Sequence, residues 1–487
     1  MPRVVVIGAG IGGLTAGALL ATWGHEVTLL ESHVDVGGCA ATFFYRRFYF
    51  DCGATLAGGF RAGGPHQQVG ALLGLDWPVR PVEPAMIVQI GDQRVVRWGD
   101  PVAWHEERRR AFPGRGAQRF WEEQEALADR VWALAARRPA WPPEGPGDLL
   151  ALARRSRLGD AWLLPHLGRR AGDVLPSRSP LLRHFVDAQL LISAQTTAAE
   201  TLWPYAAVAL DLARQGVVEV EGGIGGLAKT LAAALRRAGG RLLTKREVTG
   251  LTWHGNRVDG VVTRRGERFP ADLVLANLTP WSLVRLIGER GERAWRRRVA
   301  ALPTGWGAFT LYLGVPAAAI PPGTPTHQQI VVDPSAPLGE GNSIFISLSP
   351  EWDTGRAPAG FRTVTISTHT AVAPWWSLEG AAYLERRACY TERVLHAAEG
   401  VLPAVRQARL VLPGTPRTFQ RFTRRHRGFV GGLGQRSLWS NLSPRTGIPN
   451  LLLVGDSVFP GQSTAAVSLG ALRVAEVAAA TLAARAA

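Results

Sequence analysis

Apolar positions in this chain come in short solid runs bounded by glycine, which predicts buried strands feeding helices rather than half-exposed alternating strands. The first run, Val4-Val5-Val6-Ile7, stops at Gly8. A helical stretch follows from Leu14 to Trp23, then a stop at Gly24 and a second strand from Val27 to Leu30, ending on Glu31. That order is a βαβ unit. Further along, Gly222-Gly223-Ile224-Gly225-Gly226-Leu227 opens a helix from Ala228 to Arg237, Gly239-Gly240 closes it, and Arg241 to Val248 reads as a strand. Ala271 to Asn277 and Asn450 to Val454 are short apolar strands with polar ends, and a small-residue helix starts at Ala465. Residues 149–170 differ in texture: leucines and Trp162 interleave with Arg154, Arg155, Arg157, Arg169 and Arg170, the pattern of a basic amphipathic stretch.

The first unit carries chemistry. Gly8, Gly10 and Gly13 stand in the G-x-G-x-x-G spacing, with Gly12 as an extra. The first glycine permits a tight turn, the second a close approach of backbone to a pyrophosphate, and the third close packing of helix on strand. The helix N-terminus then offers free N–H groups to phosphate. Glu31, 23 residues after Gly8, stands where a carboxylate accepts hydrogen bonds from a ribose. Strand, helix, glycines and acid in register point to dinucleotide binding. Gly223-x-Gly225-x-x-Ala228 mimics the same spacing and would read, taken alone, as a second nucleotide site.

Composition narrows the class. At 487 residues the chain has room for about two to four domain-sized units. With 46% apolar and 19% charged residues it has the makings of a large core and not of a disordered polymer. Cys39, Cys52 and Cys389 form no disulfide framework, and no CxxC pair or HExxH helix offers a zinc site. The net charge of +16 comes almost wholly from arginine, since lysine occurs only at Lys229 and Lys245. That excess fits a GC-biased genome or an anionic partner equally. Without a zinc finger, an RNP motif or a lysine-rich arm, nucleic acid has no support, and a membrane surface stays open. No transmembrane span is expected, because Arg473 and Glu476 interrupt the most apolar stretch, and no secretory leader is expected before the first strand.

Beyond Glu31 come Gly37-Gly38 and Thr42, then Phe50-Asp51-Cys52-Gly53, and near the other end Gly455-Asp456-Ser457-Val458-Phe459-Pro460-Gly461-Gln462. On these segments the chain resembles the FAD-dependent amine oxidase and phytoene desaturase superfamily. The GDSxFPGQ form is more similar to its carotenoid desaturase and carotene isomerase branch, nearest the 3,4-desaturases. The resemblance implies an α/β fold: a discontinuous Rossmann-like FAD-binding domain, glutathione-reductase-like and amine-oxidase-like, beside a mixed α+β substrate-binding domain. It assigns 1–75, 216–285 and 421–487 to the FAD domain, and 76–215 and 286–420 to the substrate side. It gives FAD-binding roles to Gly8, Gly10, Gly12, Gly13, Glu31, Gly38, Val248, Gly455, Asp456, Gly461 and Gln462, with the Val248 strand passing the adenine, and it reads Gly222 to Leu227 as a return into the FAD domain. The strand at Asn277 is expected to be structural.

The activity implied is desaturation of an acyclic carotenoid, at the 3,4 or 3′,4′ bond of a 1-hydroxylated carotene, with carotene cis–trans isomerisation, ketolation and a non-catalytic prenyl- or lipid-binding role as alternatives. Without a lysine near the flavin or a late cysteine, amine oxidation recedes and non-covalent FAD is expected. No catalytic residue, terminal electron acceptor or metal is assigned. The substrate segments hold 13 of the 17 tryptophans, so aromatic walls around the polyene are expected. The apolar substrate favours monotopic attachment of residues 149–170 to a membrane, on the inner face of the cell membrane. The arginine clusters at 108–110, 296–298 and 421–427 read individually as solvated faces.

Overall fold

The computed structural model describes residues 1–486. The solid apolar runs form one parallel five-stranded sheet in the order Leu451–Leu453, Leu273–Ala276, Arg3–Ile7, Glu26–Leu30, Arg241–Leu243. Val4 to Ile7 are at most 4% exposed, as a central strand covered on both faces requires. Helices Ile11–Thr22, Gly225–Arg237 and Thr464–Ala486 pack around this sheet. Register sets the strand ends level with one another. Ile7 pairs with Leu30 and Ala276, and Ala276 with Leu453. The carboxyl ends of four strands therefore align and bring Gly8, Glu31, Asn277 and Gly455-Asp456 to one edge. In an open α/β sheet ligands bind in such a crevice.

The Arg241–Leu243 strand is shorter than expected. Lys245 takes a left-handed φ of 55°, and its N–H bonds to His33 O at 3.0 Å while that of Arg246 bonds to Glu31 O at 2.7 Å. This crossing turns the chain over the sheet edge. Val248–His254 then begins a separate three-stranded antiparallel sheet with Arg257–Thr263 and Arg268–Pro270.

A seven-stranded mixed sheet forms the second layer, in the order Leu410–Gly414, Trp306–Pro316, Phe361–Ala371, Ser343–Leu348, His327–Val331, Met86–Ile90, Gln93–Arg97. Alternation along its strands splits its two faces. Phe309, Leu311, Leu313, Val364 and Ile366 join a core with the helix Gly380–Glu399. Ala308, Thr310, Tyr312, Ser367 and His369 point the other way, into a cavity beneath the helix Pro180–Ala194. The α/β architecture with a mixed α+β layer matches the expectation from the sequence. The helix Thr464–Arg485 is long and apolar enough to cross a membrane, yet 67% of that window is buried. Glu476 pairs with Arg138 and Arg155 at 3.2 Å each, so this is a core helix that carries charge at its rim.

A candidate active site at the strand ends

A single cavity of about 1380 Å³ runs from the glycine turn to the space between the Pro180–Ala194 helix and the mixed sheet. Pockets for one small ligand span roughly 300–1,000 Å³, so this volume has room for a cofactor and a substrate together.

At the nucleotide end the glycines are required by contact. A Cβ on Gly10 would stand 2.4 Å from Asn277 Oδ1, and one on Gly13 would stand 2.3 Å from Gly8 O. Gly8, Gly10 and Gly12 line the cavity, whereas Gly13 does not and serves helix–strand packing. The N-terminus of the Ile11–Thr22 helix has no side-chain cap and no acid in its first turn. Its free N–H groups and positive dipole end face the cavity, a fit for a pyrophosphate. The helix at Gly225 is the opposite case. Ile224 N–H donates to Asp51 Oδ1 at 3.0 Å and Gly225 N–H to Thr42 Oγ1 at 2.9 Å, while Arg356 pairs with Asp51 at 3.0 Å. The chain's own side chains fill that second glycine motif, and no phosphate site is left there.

Glu31 is held rigidly. Its Oε2 accepts the Ala9 N–H at 2.7 Å and its Oε1 the His33 N–H at 2.8 Å. Oε2 keeps a second acceptor position for a hydroxyl. Gly38 and Val248 line the same wall. On the far side Gly455 has φ +125°, and a Cβ there would stand 2.7 Å from Asn277 Nδ2. Asp456 Oδ2 pairs with Arg425 at 2.9 Å. Gln462 Oε1 accepts from Gly432 N–H at 3.2 Å and its Nε2 donates to Ile192 O at 3.1 Å, joining the late loop to the helix roof. The fold thus gathers Gly8, Gly10, Gly12, Glu31, Gly38, Val248, Gly455, Asp456 and Gln462 on one cavity. Gly461 stays behind it, in a turn at φ +115° facing Gln435 and Asn441.

The other half of the cavity is mainly aliphatic, lined by Met86, Leu191, Ile192, Leu210, Leu212 and Val217, with Phe43 and Phe345. The expected tryptophan walls are not there. Of the tryptophans only Trp376 lines the cavity, while Trp104, Trp121, Trp203 and Trp375 are fully buried in packed cores. Their area is spent on ring–ring contacts, such as Trp104 on Trp121 at 5.2 Å. Cys39 and Cys52 also line the cavity; burial pushes both thiols up, which keeps them protonated and poorly nucleophilic. Neither lysine lines it.

A Rossmann-like NAD(P)-binding domain model matches residues 6–72. Solved structures share the fold over nearly the whole chain. An oxidoreductase from Methanosarcina mazei has a TM-score of 0.64 at 19% identity, covering 97% of this chain and 100% of that one. Cyclohexylamine oxidase from Brevibacterium oxydans has a TM-score of 0.61 at 15% identity, covering 100% of both. Prolycopene isomerase 1 of an Oncidium hybrid cultivar is 29% identical over 98% of this chain and 84% of its own length. The 4,4′-diapophytoene desaturase (4,4′-diaponeurosporene-forming) of Staphylococcus aureus is 46% identical over 54 residues, 11% of each chain. Over nearly its whole length the chain is similar to prolycopene isomerases, and it shares its fold with oxidoreductases of known structure.

Three residues of this site escape sequence reasoning. Asn277, expected to be only structural, lines the cavity and presses on Gly8, Gly10 and Gly455. Arg425 sits in an arginine-rich run that reads as a solvated face, yet it donates to Phe429 O and Gly431 O at 2.6 Å each. Burial works against its charge, but Asp456 outweighs that and holds the guanidinium above the usual arginine range. His369 is the third. In the cluster at 108–110, Arg108 is 4% exposed and pairs with Glu125 at 2.7 Å, while Arg109 and Arg110 stand exposed. Residues 149–170 form the helix Pro146–Arg155 and the 3-10 turn Leu158–His166. Leu149, Leu150, Leu158 and Leu164 stand exposed there, Leu158 at 98%.

Proposed function

We propose that this chain is a carotenoid desaturase that introduces a C=C bond into an acyclic carotenoid, at the 3,4 or 3′,4′ position of a 1-hydroxylated carotene. The observation that carries this reading is the single cavity joining the open helix N-terminus at Gly10 to an aliphatic chamber. In this reading 1–75, 216–285 and 421–487 hold the cofactor, and 76–215 and 286–420 hold the substrate.

FAD, bound non-covalently, would supply the hydride acceptor for an allylic C–H, with the proton of the neighbouring carbon passing out to solvent. Gly8, Gly10 and Gly12 admit the pyrophosphate beside the helix N-terminus, and Glu31 holds the ribose. Asp456 with Arg425 and Gln462 orient the flavin end. The aliphatic wall from Met86 to Val217 binds the polyene and excludes water, so substrate geometry and not a strong base controls which bond reacts. The residual charge on the reacting carbon is spread along the polyene. Oxygen, a quinone or another carrier would each serve as the terminal electron acceptor. The exposed leucines and arginines of 149–170 support peripheral attachment to the inner face of the cell membrane, which would let an apolar substrate enter without crossing water.

Isomerisation is the second reading, favoured by the whole-length similarity to prolycopene isomerases. Anaerobic mixing of oxidised holoenzyme with an acyclic hydroxycarotenoid separates the two. Desaturation bleaches the flavin band in a single turnover. A flavin that stays oxidised, with isomers forming only after chemical reduction, contradicts desaturation and supports isomerisation.

A further inference from the structure

The substrate chamber is not uniformly apolar. Its floor, on the mixed sheet, carries Ser367 and His369, two residues apart on one strand and so on one face. Ser343 and Gln329 continue the polar strip across the neighbouring strands. Its roof, the Pro180–Ala194 helix, carries Gln189 and Ser193, and Gln195 caps its end. A chamber built only for hydrocarbon gains nothing from this strip, because every polar group a hydrocarbon covers without a partner opposes binding.

Most of the strip is internally satisfied. Gln189 Nε2 donates to Gln329 Oε1 at 2.5 Å, and Gln329 Nε2 to Ala188 O at 2.8 Å. Ser193 Oγ donates to Gln189 O at 2.6 Å. His369 is different. Its Nε2 lies 3.3 Å from Gln195 Nε2. The carbonyls of Leu191 and Ile192, each 3.5 Å from that same amide nitrogen, favour the amide with its NH₂ on this side, which leaves the buried Gln195 Oε1 without a protein partner. An amide donates, so His369 Nε2 accepts, and the ring proton sits on Nδ1. Burial lowers the ring's pKa to about 4, which keeps this neutral tautomer at physiological pH. Nδ1–H bonds to no protein group among the described residues, and neither does the Ser367 hydroxyl. Both residues lie deep in the molecule yet keep accessible surface among the groups that line the chamber.

Gln195 is placed at a cost. It ends the helix with φ 59°, a left-handed conformation that a non-glycine residue takes less readily than glycine. Its amide also lies against Gly431, where a Cβ would meet Gln195 Cδ at 2.6 Å and Gln462 Oε1 at 2.4 Å. His369 therefore stands at the end of the chamber nearest the Asp456–Gln462 loop, and Gln189 stands about 9 Å further along the helix.

The geometry points to a hydroxyl-binding subsite in which His369 and Ser367 grip an alcohol on the substrate, with Gln195 as the positioning residue that sets the histidine's tautomer. The alcohol oxygen accepts from Nδ1–H, and the alcohol O–H donates to Ser367 Oγ. The subsite rests on the carotenoid reading above and deepens it: recognition of an oxygen beside the flavin-side loop places the carbons next to that oxygen at the reacting centre.

The test is binding to the holoenzyme in detergent micelles, read by the absorption shift of the carotenoid, with the product mass taken from the same samples. The ligands are an acyclic carotenoid with a tertiary hydroxyl at one end and its hydrocarbon parent. The wild-type protein is expected to bind the alcohol about tenfold to a hundredfold tighter. His369→Phe is expected to bring the two within about threefold of each other, with a smaller loss of preference for Ser367→Ala. Equal binding by the wild type overturns the subsite without need of any variant. So does an undiminished preference in His369→Phe, or a shifted flavin spectrum there with the preference intact, which would set the ring against the cofactor instead. Preference without any product leaves the subsite standing and sinks the desaturase reading; product without preference does the reverse.

Discussion

At the scale of single residues, the nucleotide end depends on groups that are already locked before any ligand arrives. Glu31 is fixed by the N–H groups of Ala9 and His33, so it loses little freedom on accepting a ribose. Glu31→Gln keeps the size and removes the charge. We expect FAD to bind about tenfold to a hundredfold more weakly in this variant, measured by flavin fluorescence. Unchanged affinity would remove Glu31 from the site. This residue is legible in the sequence because its signal is local: strand, glycines, helix and acid follow one another within 31 residues. Asn277 and Arg425 are not. Asn277 reaches the glycine turn only through the register of Ala276 with Ile7. Arg425 belongs to a run of basic residues, and composition cannot single out the one whose neighbours bury it. The tryptophans mislead for a related reason: aromatic richness marks contact area, but whether that area faces a core or a ligand is settled by tertiary packing.

At the scale of elements, the three parts of the nucleotide-binding layer are joined by side chains from distant segments. Asp51 and Thr42 cap the Gly225–Arg237 helix, and Arg356, between the Ser343–Leu348 and Phe361–Ala371 strands of the mixed sheet, pairs with Asp51. The side chains of the pair are only 6% and 9% exposed. Arg356→Leu leaves Asp51 buried without its counter-charge and is expected to destabilise the fold by about 3–5 kcal/mol. The double variant with Asp51→Asn should recover part of that loss, and urea unfolding of both measures it. A loss below about 1 kcal/mol, the range of exposed pairs, would show that the pair does not tie the layers together. The GG-x-x-x-L segment reads in sequence as a return to the nucleotide layer, but the side chains that close it to phosphate lie beyond sequence reasoning. The strand after it reads too long, because the turn at Lys245 has no glycine to announce it.

At the scale of the molecule, acid is expected to weaken the fold. Burial lowers His66 to about 3 and His327 to about 4, against 6.5 in the unfolded chain. The unfolded state therefore binds more protons below 6.5. The stability these residues contribute is complete above that pH and is lost as pH falls, at about 1.4 kcal/mol per unit for each histidine. Thermal melts from pH 7 to 4 check the slope, and His66→Phe, which keeps the stack on Phe60, is expected to flatten it. An unchanged slope would locate the acid sensitivity elsewhere. The exposed leucines at 149, 150, 158 and 164 belong to the same scale. Co-sedimentation with anionic liposomes should fall severalfold in Leu158→Asp/Leu164→Asp, and equal sedimentation would move membrane attachment to another face.

All of these features serve one claim, that the joined cavity lets a carotenoid lose hydrogen to a flavin. The most direct measurement is the mass of the carotenoid recovered after aerobic incubation of holoenzyme with an acyclic hydroxycarotenoid in liposomes. Our account predicts a product lighter by two hydrogens, with an absorption spectrum shifted to longer wavelength. An unchanged mass with an altered cis/trans ratio would contradict it and assign the cavity to isomerisation.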